Sequence, residues 1–228
     1  MGYFGQLQLI LFDLQSLFPL TLSMTVNDKL AAEFINYLRH FAPLTDAEIR
    51  KDLIPILKIR EYGKKQIITQ SGDVEDHMNF ITKGLIRKYY KKGAEENIVQ
   101  LSIEGHLISC QESFYTRTPS EYILETIEPS TIISMTYGDM EKMFQASHNL
   151  ERVGRLVIAQ IMVLKDKWQT SLIMDSPRDR FLLFVENYPE IIQRVPQKYL
   201  ASYLNIKPET FSRFKHLLRK KKPTTIPS

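Results

Sequence analysis

Five of the nine glycines, Gly63, Gly72, Gly84, Gly93 and Gly105, fall between Lys58 and Tyr137. They are spaced roughly every ten residues, the interval of short strands joined by tight turns. The runs between them are rich in Ile, Val, Tyr and Thr and too short for stable helices. This pattern predicts an antiparallel sandwich, roll or barrel. The expected strands are Lys58–Tyr62, Gln66–Thr69, His77–Lys83, Leu85–Lys91, Glu96–Ser102, Tyr122–Ile127 and Thr131–Thr136.

Helical spacing flanks this segment on both sides. Leu30, Phe34, Ile35, Leu38 and Phe41 recur at steps of three or four until Pro43 intervenes, and Thr45 with Glu48 reads as a capping box opening a short helix. A second short helix starts at Tyr137. After it, Leu150, Val153, Val157, Ile161, Leu164, Trp168 and Leu172 form one apolar stripe on a long helix. A helix so long needs a partner along its length, and a second copy of itself is the economical choice. Ser176-Pro177 breaks that helix, and Arg178–Tyr188 forms another before Pro189.

The expected architecture is α+β. An N-terminal antiparallel β-roll with flanking helices spans 24–146, a dimerisation helix spans 147–175, and an all-α domain spans 176–228. The first 23 residues contain no Lys or Arg, and Asp13 and three glutamines interrupt their apolar run. They suit neither a secretory signal nor a membrane span, and Met24 is the expected start, with 1–23 an upstream extension.

Charge separates the two ends. The net charge is +4, yet from Ser176 to Lys222 eleven Lys/Arg face four Asp/Glu, an excess of seven. The remainder therefore carries a net −3, and a basic end on a faintly acidic body points to a polyanion partner for that end. The single cysteine, Cys110, excludes an intramolecular disulfide and fits a cytoplasmic setting. The five histidines show no metal-ligand spacing, so no metal is expected.

The stretch Pro196–Lys222 predicts two short helices joined by a tight turn. Leu200, Ala201 and Leu204 face inward on the first, Asn205 takes the left-handed turn position, and Ile206 plugs the turn. Pro208 starts the second helix, with Phe211, Phe214, Leu217 and Leu218 on its inner face. Glu209, Thr210, Ser212, Arg213, Lys215 and His216 are left outward, as on a helix that enters a DNA major groove. Arg213 suits a bidentate pair with guanine and Glu209 a cytosine amine. Thr210 and Lys215 suit backbone phosphate, Lys198 is a further expected DNA contact, and Arg219, Lys220 and the following lysines add salt-sensitive attraction.

A roll, a long helix and a terminal helix-turn-helix in this order resemble the Crp–Fnr (catabolite activator) family of regulators, over Asn27 to Lys222. The run Glu209-Thr210-Phe211-Ser212-Arg213 is similar to that family's E-T-V-x-R recognition pattern. The resemblance implies a homodimer on a roughly palindromic double-stranded DNA site, with Glu209 and Arg213 on bases and Thr210 on a phosphate. RNA polymerase is the further partner expected, and no membrane. Pro208 stands where the family often has an arginine. Lys222 is followed only by PTTIPS, so the winged-helix-like domain is expected to have a truncated wing.

In the cyclic-nucleotide-binding members, a Gly-Glu pair and a later Arg-Ser pair hold the ligand. Here the corresponding positions are Ser109-Cys110 and Ser120-Glu121. Both pairs are missing, so cAMP and cGMP are not expected and no cofactor is assigned. A pocket for another effector is expected to involve Ser109, Cys110, Gln111, Phe114, Arg117, Ser120 and Glu121. Nothing basic adjoins Cys110 in the sequence, which argues against a reactive thiol. One alternative is a cyclic-nucleotide or other ligand sensor that acts through protein partners rather than DNA. Another is an enzyme on a cupin-like roll, for which neither a metal set nor a nucleophile–base pair is present, so no catalytic residue is assigned.

Overall fold

The computed structural model describes residues 26–219, with side chains from 29 to 215. Helix α1 (Val26–Arg39) and a short turn α2 (Asp46–Glu48) precede the strands. These are β1 (Lys58–Tyr62), β2 (Ile67–Thr69), β3 (His77–Lys83), β4 (Ile86–Lys92), β5 (Glu95–Ser102), β6 (Leu107–Ile108), β7 (Ile123–Thr126) and β8 (Ser130–Thr136), with α3 (Gln111–Thr116) between β6 and β7. Two four-stranded sheets result, in the orders β1-β8-β3-β6 and β2-β7-β4-β5, and every pairing is antiparallel. The fold is therefore the antiparallel roll expected from the glycine spacing, followed by helices.

The period of two sorts each strand's side chains. On β3 and β8, Met78, Phe80, Ile133 and Met135 face one apolar cluster, which also takes in Phe34 and Leu38 of α1. Ile81 and Ile132 face the roll's interior with Ile86, Ile108, Cys110 and Leu124. Gly84 makes the β3–β4 turn at φ +104°. A Cβ there would run into the Ser130 hydroxyl and lie 2.7 Å from the Ser130 Cα, so only glycine fits.

The helices α4 (Tyr137–Ala146) and α5 (His148–Met174) follow, then α6 (Pro177–Asn187), α7 (Ile191–Arg194), α8 (Gln197–Tyr203) and α9 (Pro208–Arg219). The chain divides into two compact units, one spanning Thr25–Thr170 and the other comprising the described residues from Ser171 onward. Leu150, Val153 and Val157 are buried in the roll's own apolar cluster, with Ile161 packed partly against it. This corrects the reading of those positions as a dimer face. The helical period fixes which residues share a stripe, but the stripe's first half is already covered by α1, α4 and the sheet. Leu164, Trp168 and Leu172 are half-buried.

Thr45 caps α2 with the expected capping box, and Glu48 reaches further than a cap. Its carboxylate accepts from Thr45 N at 2.9 Å, Thr45 Oγ1 at 2.7 Å, Ser147 Oγ at 3.0 Å and Asn149 Nδ2 at 3.2 Å. The Thr45 bonds above all, with Asn149 and Ser147, hold its pKa down to about 2, from 4.5. A carboxyl lowered in the folded state stabilises above its unfolded value and loses that contribution as pH falls through the folded one. Between pH 4.5 and about 2, the thermal midpoint of the wild type should therefore fall more steeply than that of Glu48→Gln. Parallel pH profiles for the two proteins would overturn this assignment.

Candidate functional site

In the C-terminal unit, Phe181, Leu200, Ala201, Leu204 and Phe211 are all but fully buried, and Phe181 meets Phe211 edge-on at 5.2 Å and Phe214 at 5.5 Å. Asn205 has φ +50°, and the backbone closes α8 on either side of it. Asn205 N donates to Ser202 O at 3.0 Å and Ile206 N to Ala201 O at 2.9 Å, the paired bonds of a left-handed helix stop. The buried Ile206 anchors the turn, and Pro208 then sets the first turn of α9.

On α9, Glu209, Ser212, Arg213 and Lys215 are exposed and Thr210 is half-buried, while Arg213 Nη2 donates to Thr210 Oγ1 at 3.3 Å. Lys198 is exposed on α8, its ammonium 4.8 Å from the Tyr199 ring. Lys220 and the residues after it, with any wing, lie outside the described residues, as do 1–23 and the side chains of His216, Leu217, Leu218 and Arg219. Arg180, in the first turn of α6, is only 3% exposed. Its guanidinium donates to the carbonyls of Leu204 at 2.8 Å, Asp175 at 3.0 Å, Ser171 at 3.3 Å and Leu172 at 3.4 Å. It thus ties the end of α8 to the last turn of α5.

In the roll, the residues expected to line a pocket divide into two groups. Cys110, between Ser109 and Gln111 in the chain, shares the Tyr122 carbonyl at 3.9 Å with Ser120, which is buried and hydrogen-bonded to the Tyr122 backbone at 3.0 and 3.1 Å. The other three do not join them. Phe114 is fully buried in the outer apolar cluster, and Glu121 is exposed. Arg117 donates to Glu75 O at 2.8 Å and Phe114 O at 3.2 Å, and pairs with Asp76 at 2.6 Å, with its guanidinium 4.7 Å from the Tyr137 ring. It fastens α3 to the loop before β3 and does not reach the interior. Its donors are already committed, which corrects the expectation that Arg117 lines an effector pocket.

A lysine occupies that interior instead. Lys88 of β4 is 6% exposed, and its ammonium donates to Ser109 O at 3.1 Å and Gln111 Oε1 at 3.4 Å. Its Nζ lies 4.6 Å from the Tyr122 ring centre. Lys165, exposed on α5, donates to the same Gln111 oxygen at 2.6 Å. Burial brings Lys88 down to about 8. Cys110 opposes that shift, and the like charge of Lys165 adds to it. Cys110 thus has a basic neighbour after all, 22 positions away in sequence, though burial still raises the thiol's pKa.

Local reasoning missed Lys88 because a charge in a strand is normally assigned to the solvent face. The available signal was alternation, since Lys88 shares its side of β4 with the interior residue Ile86. A bulge follows at once, with Lys88 opposite Gln100 and Tyr89 opposite Ile98, which turns the strand where the lysine enters.

Among the described residues, no group of three or more His, Cys, Asp or Glu could hold a metal. No helix there is long and apolar enough to cross a membrane. No curated protein matches the chain in sequence. Residues 59–147 match the cyclic nucleotide-binding domain family. Among solved structures, FixK2 from Bradyrhizobium japonicum aligns at TM-score 0.63 and 14% identity, covering 73% of this chain and 86% of that one. The c-di-GMP-responsive global regulator CLP of Xanthomonas campestris aligns at 0.60 and 16%, covering 77% and 92%. A CooA mutant from Carboxydothermus hydrogenoformans aligns at 0.58 and 14%, covering 78% and 87%. Residues 59–147 are thus similar to the cyclic nucleotide-binding domain family, and the chain shares the fold of these three solved structures.

Proposed function

We propose that this chain is a dimeric, DNA-binding transcription regulator of the Crp–Fnr type, with α8 and α9 as its helix-turn-helix. The observation that carries the reading is the face of α9. Glu209, Ser212, Arg213 and Lys215 are exposed together while Phe211 holds the opposite side in the core. Base-reading and phosphate-binding groups at the N-terminal half of a second helix are what a major-groove reader requires. Association through α5 is supported by Met162 and Val163, large apolar side chains 65% and 48% exposed on that helix. A dimer would present two copies of α9 to a two-fold DNA site.

The test is selection of duplexes from a randomised pool, followed by retardation of the selected sequence at several salt concentrations. A roughly palindromic site should emerge, bound with steep salt dependence. Arg213→Ala should weaken binding by about tenfold to a hundredfold and relax preference at one position of each half-site. Lys215→Ala should weaken all sequences alike and lower the salt slope by about 1. No enrichment at low salt, or an Arg213→Ala protein that selects the same site with the same affinity, would overturn the reading.

A further inference from the structure

We propose that Lys88, Lys165, Ser109 and Gln111 form a binding site for a small organic anion, taken through its carboxylate or phosphoryl oxygens. The proposal rests on reading the roll as the effector-binding part of a regulator. It draws the positive charge from β4 and α5, and not from the Ser120-Glu121 position.

The argument is one of unmatched charge. Lys88 and Lys165 both donate to the one Gln111 oxygen, at 3.4 and 2.6 Å, so their ammonium groups lie within about 6 Å of each other. Among the described residues, neither forms an ion pair with a carboxylate, and the acceptors each engages are neutral. The carboxylates that act on Lys88 are Glu75 and Glu112. Glu75 already accepts from Thr69 Oγ1 at 2.8 Å, His77 N at 3.0 Å and Cys110 N at 3.4 Å, and Glu112 is exposed on α3.

Two further donors stand in the same cluster without acceptors. Ser109 is fully buried and its Oγ has no hydrogen-bond partner, and the buried Gln111 Nε2 likewise has none. Buried polar groups are rarely left unmatched, and four donors with two net charges call for anionic oxygens. Tyr122, against Lys88, and Tyr90, edge-on to Tyr122 at 6.2 Å, offer aromatic surface beside the charges for the rest of a ligand.

The test uses the full chain in the absence of DNA, titrated with inorganic phosphate and, separately, with succinate, against chloride at matched ionic strength. Thermal midpoint and calorimetric affinity are read at pH 7. A saturable rise with phosphate alone identifies a phosphoryl ligand, and one with succinate alone a carboxylate. Lys165→Gln, a surface change, should weaken that binding by about tenfold and Lys88→Met should abolish it. Binding should also decline above about pH 8, as Lys88 loses its proton among Cys110, Glu75, Glu112 and Lys165.

Should Lys88→Met fail to fold, Lys165→Gln and Gln111→Ala carry the same comparison. No midpoint change beyond that of chloride would overturn the proposal. So would an equal response in Lys165→Gln and the wild type. Anion binding without DNA retardation would sink the DNA reading and leave this site standing, and the reverse result would do the opposite.

Discussion

Replacing Arg180 with methionine is expected to unfold the C-terminal unit while leaving the roll folded. The guanidinium is buried and serves four carbonyls, those of Ser171, Leu172, Asp175 and Leu204. Three of them lie at or just beyond the end of α5, where unmatched carbonyls and the helix dipole both favour a cation. Methionine keeps the unbranched apolar stem but ends where the guanidinium begins, and it donates nothing. Removing one partner from a buried charged cluster costs about 3 to 5 kcal/mol, against a total of about 5 to 15 for a typical protein. A unit this small has little reserve.

Hydrogen exchange should show α6, α8 and α9 losing protection in Arg180→Met, with β3, β4 and β8 unchanged. DNA binding should vanish with them. Arg180→Lys should recover little, since one ammonium cannot reach carbonyls on two helices in the geometry of a planar fork. Native protection of α8 in Arg180→Met would show that the aromatic cluster around Phe181 suffices alone.

The second large effect is expected at Arg87, one residue before the interior lysine and on the other side of β4. It is 2% exposed, with Nη1 2.6 Å from Glu96 Oε2 and Nη2 3.3 Å from Glu96 Oε1 and 2.9 Å from Glu125 Oε2. Tyr89 donates to the same Glu125 oxygen at 2.9 Å, and its ring centre lies 4.0 Å from the guanidinium carbon. Burial above all, with that bond to Glu125, keeps the Tyr89 phenol protonated well above its ordinary value.

Arg87→Met would strand the buried Glu125 carboxylate, and the roll should lose about 3 to 5 kcal/mol. The double change Arg87→Met with Glu125→Leu removes both charges and should regain much of that loss. Urea unfolding followed by circular dichroism gives both numbers. A double variant no more stable than Arg87→Met would mean that packing, and not the stranded charge, sets the cost.

These two arginines mark the limit of reading the chain locally. The strands were legible because alternation and glycine turns are properties of neighbouring residues, and seven of the eight appear within a residue or so of their expected bounds. The turn after α8 was legible for the same reason, since Asn205 and Pro208 each restrict their own backbone. Three features were not. Strand β6 has two residues and α3 six, too few to display a period, and α7 has four. The apolar stripe from Leu150 to Leu172 was visible as a stripe, but its periodicity does not say what covers it.

What the sequence determined by itself is therefore the order of elements, the roll, and the side of α9 that carries Glu209 and Arg213. Each follows from backbone preference or from a repeat of polarity along a few residues. What only the tertiary structure decided is where the charges end up. Arg180 reaches Leu204, Arg87 meets Glu125, and Lys88 joins Lys165 across Gln111, over separations of 24, 38 and 77 positions. Such a charge reads as solvated until folding brings its partners together. In the interior, a cation must then be matched or remain a site for something that matches it.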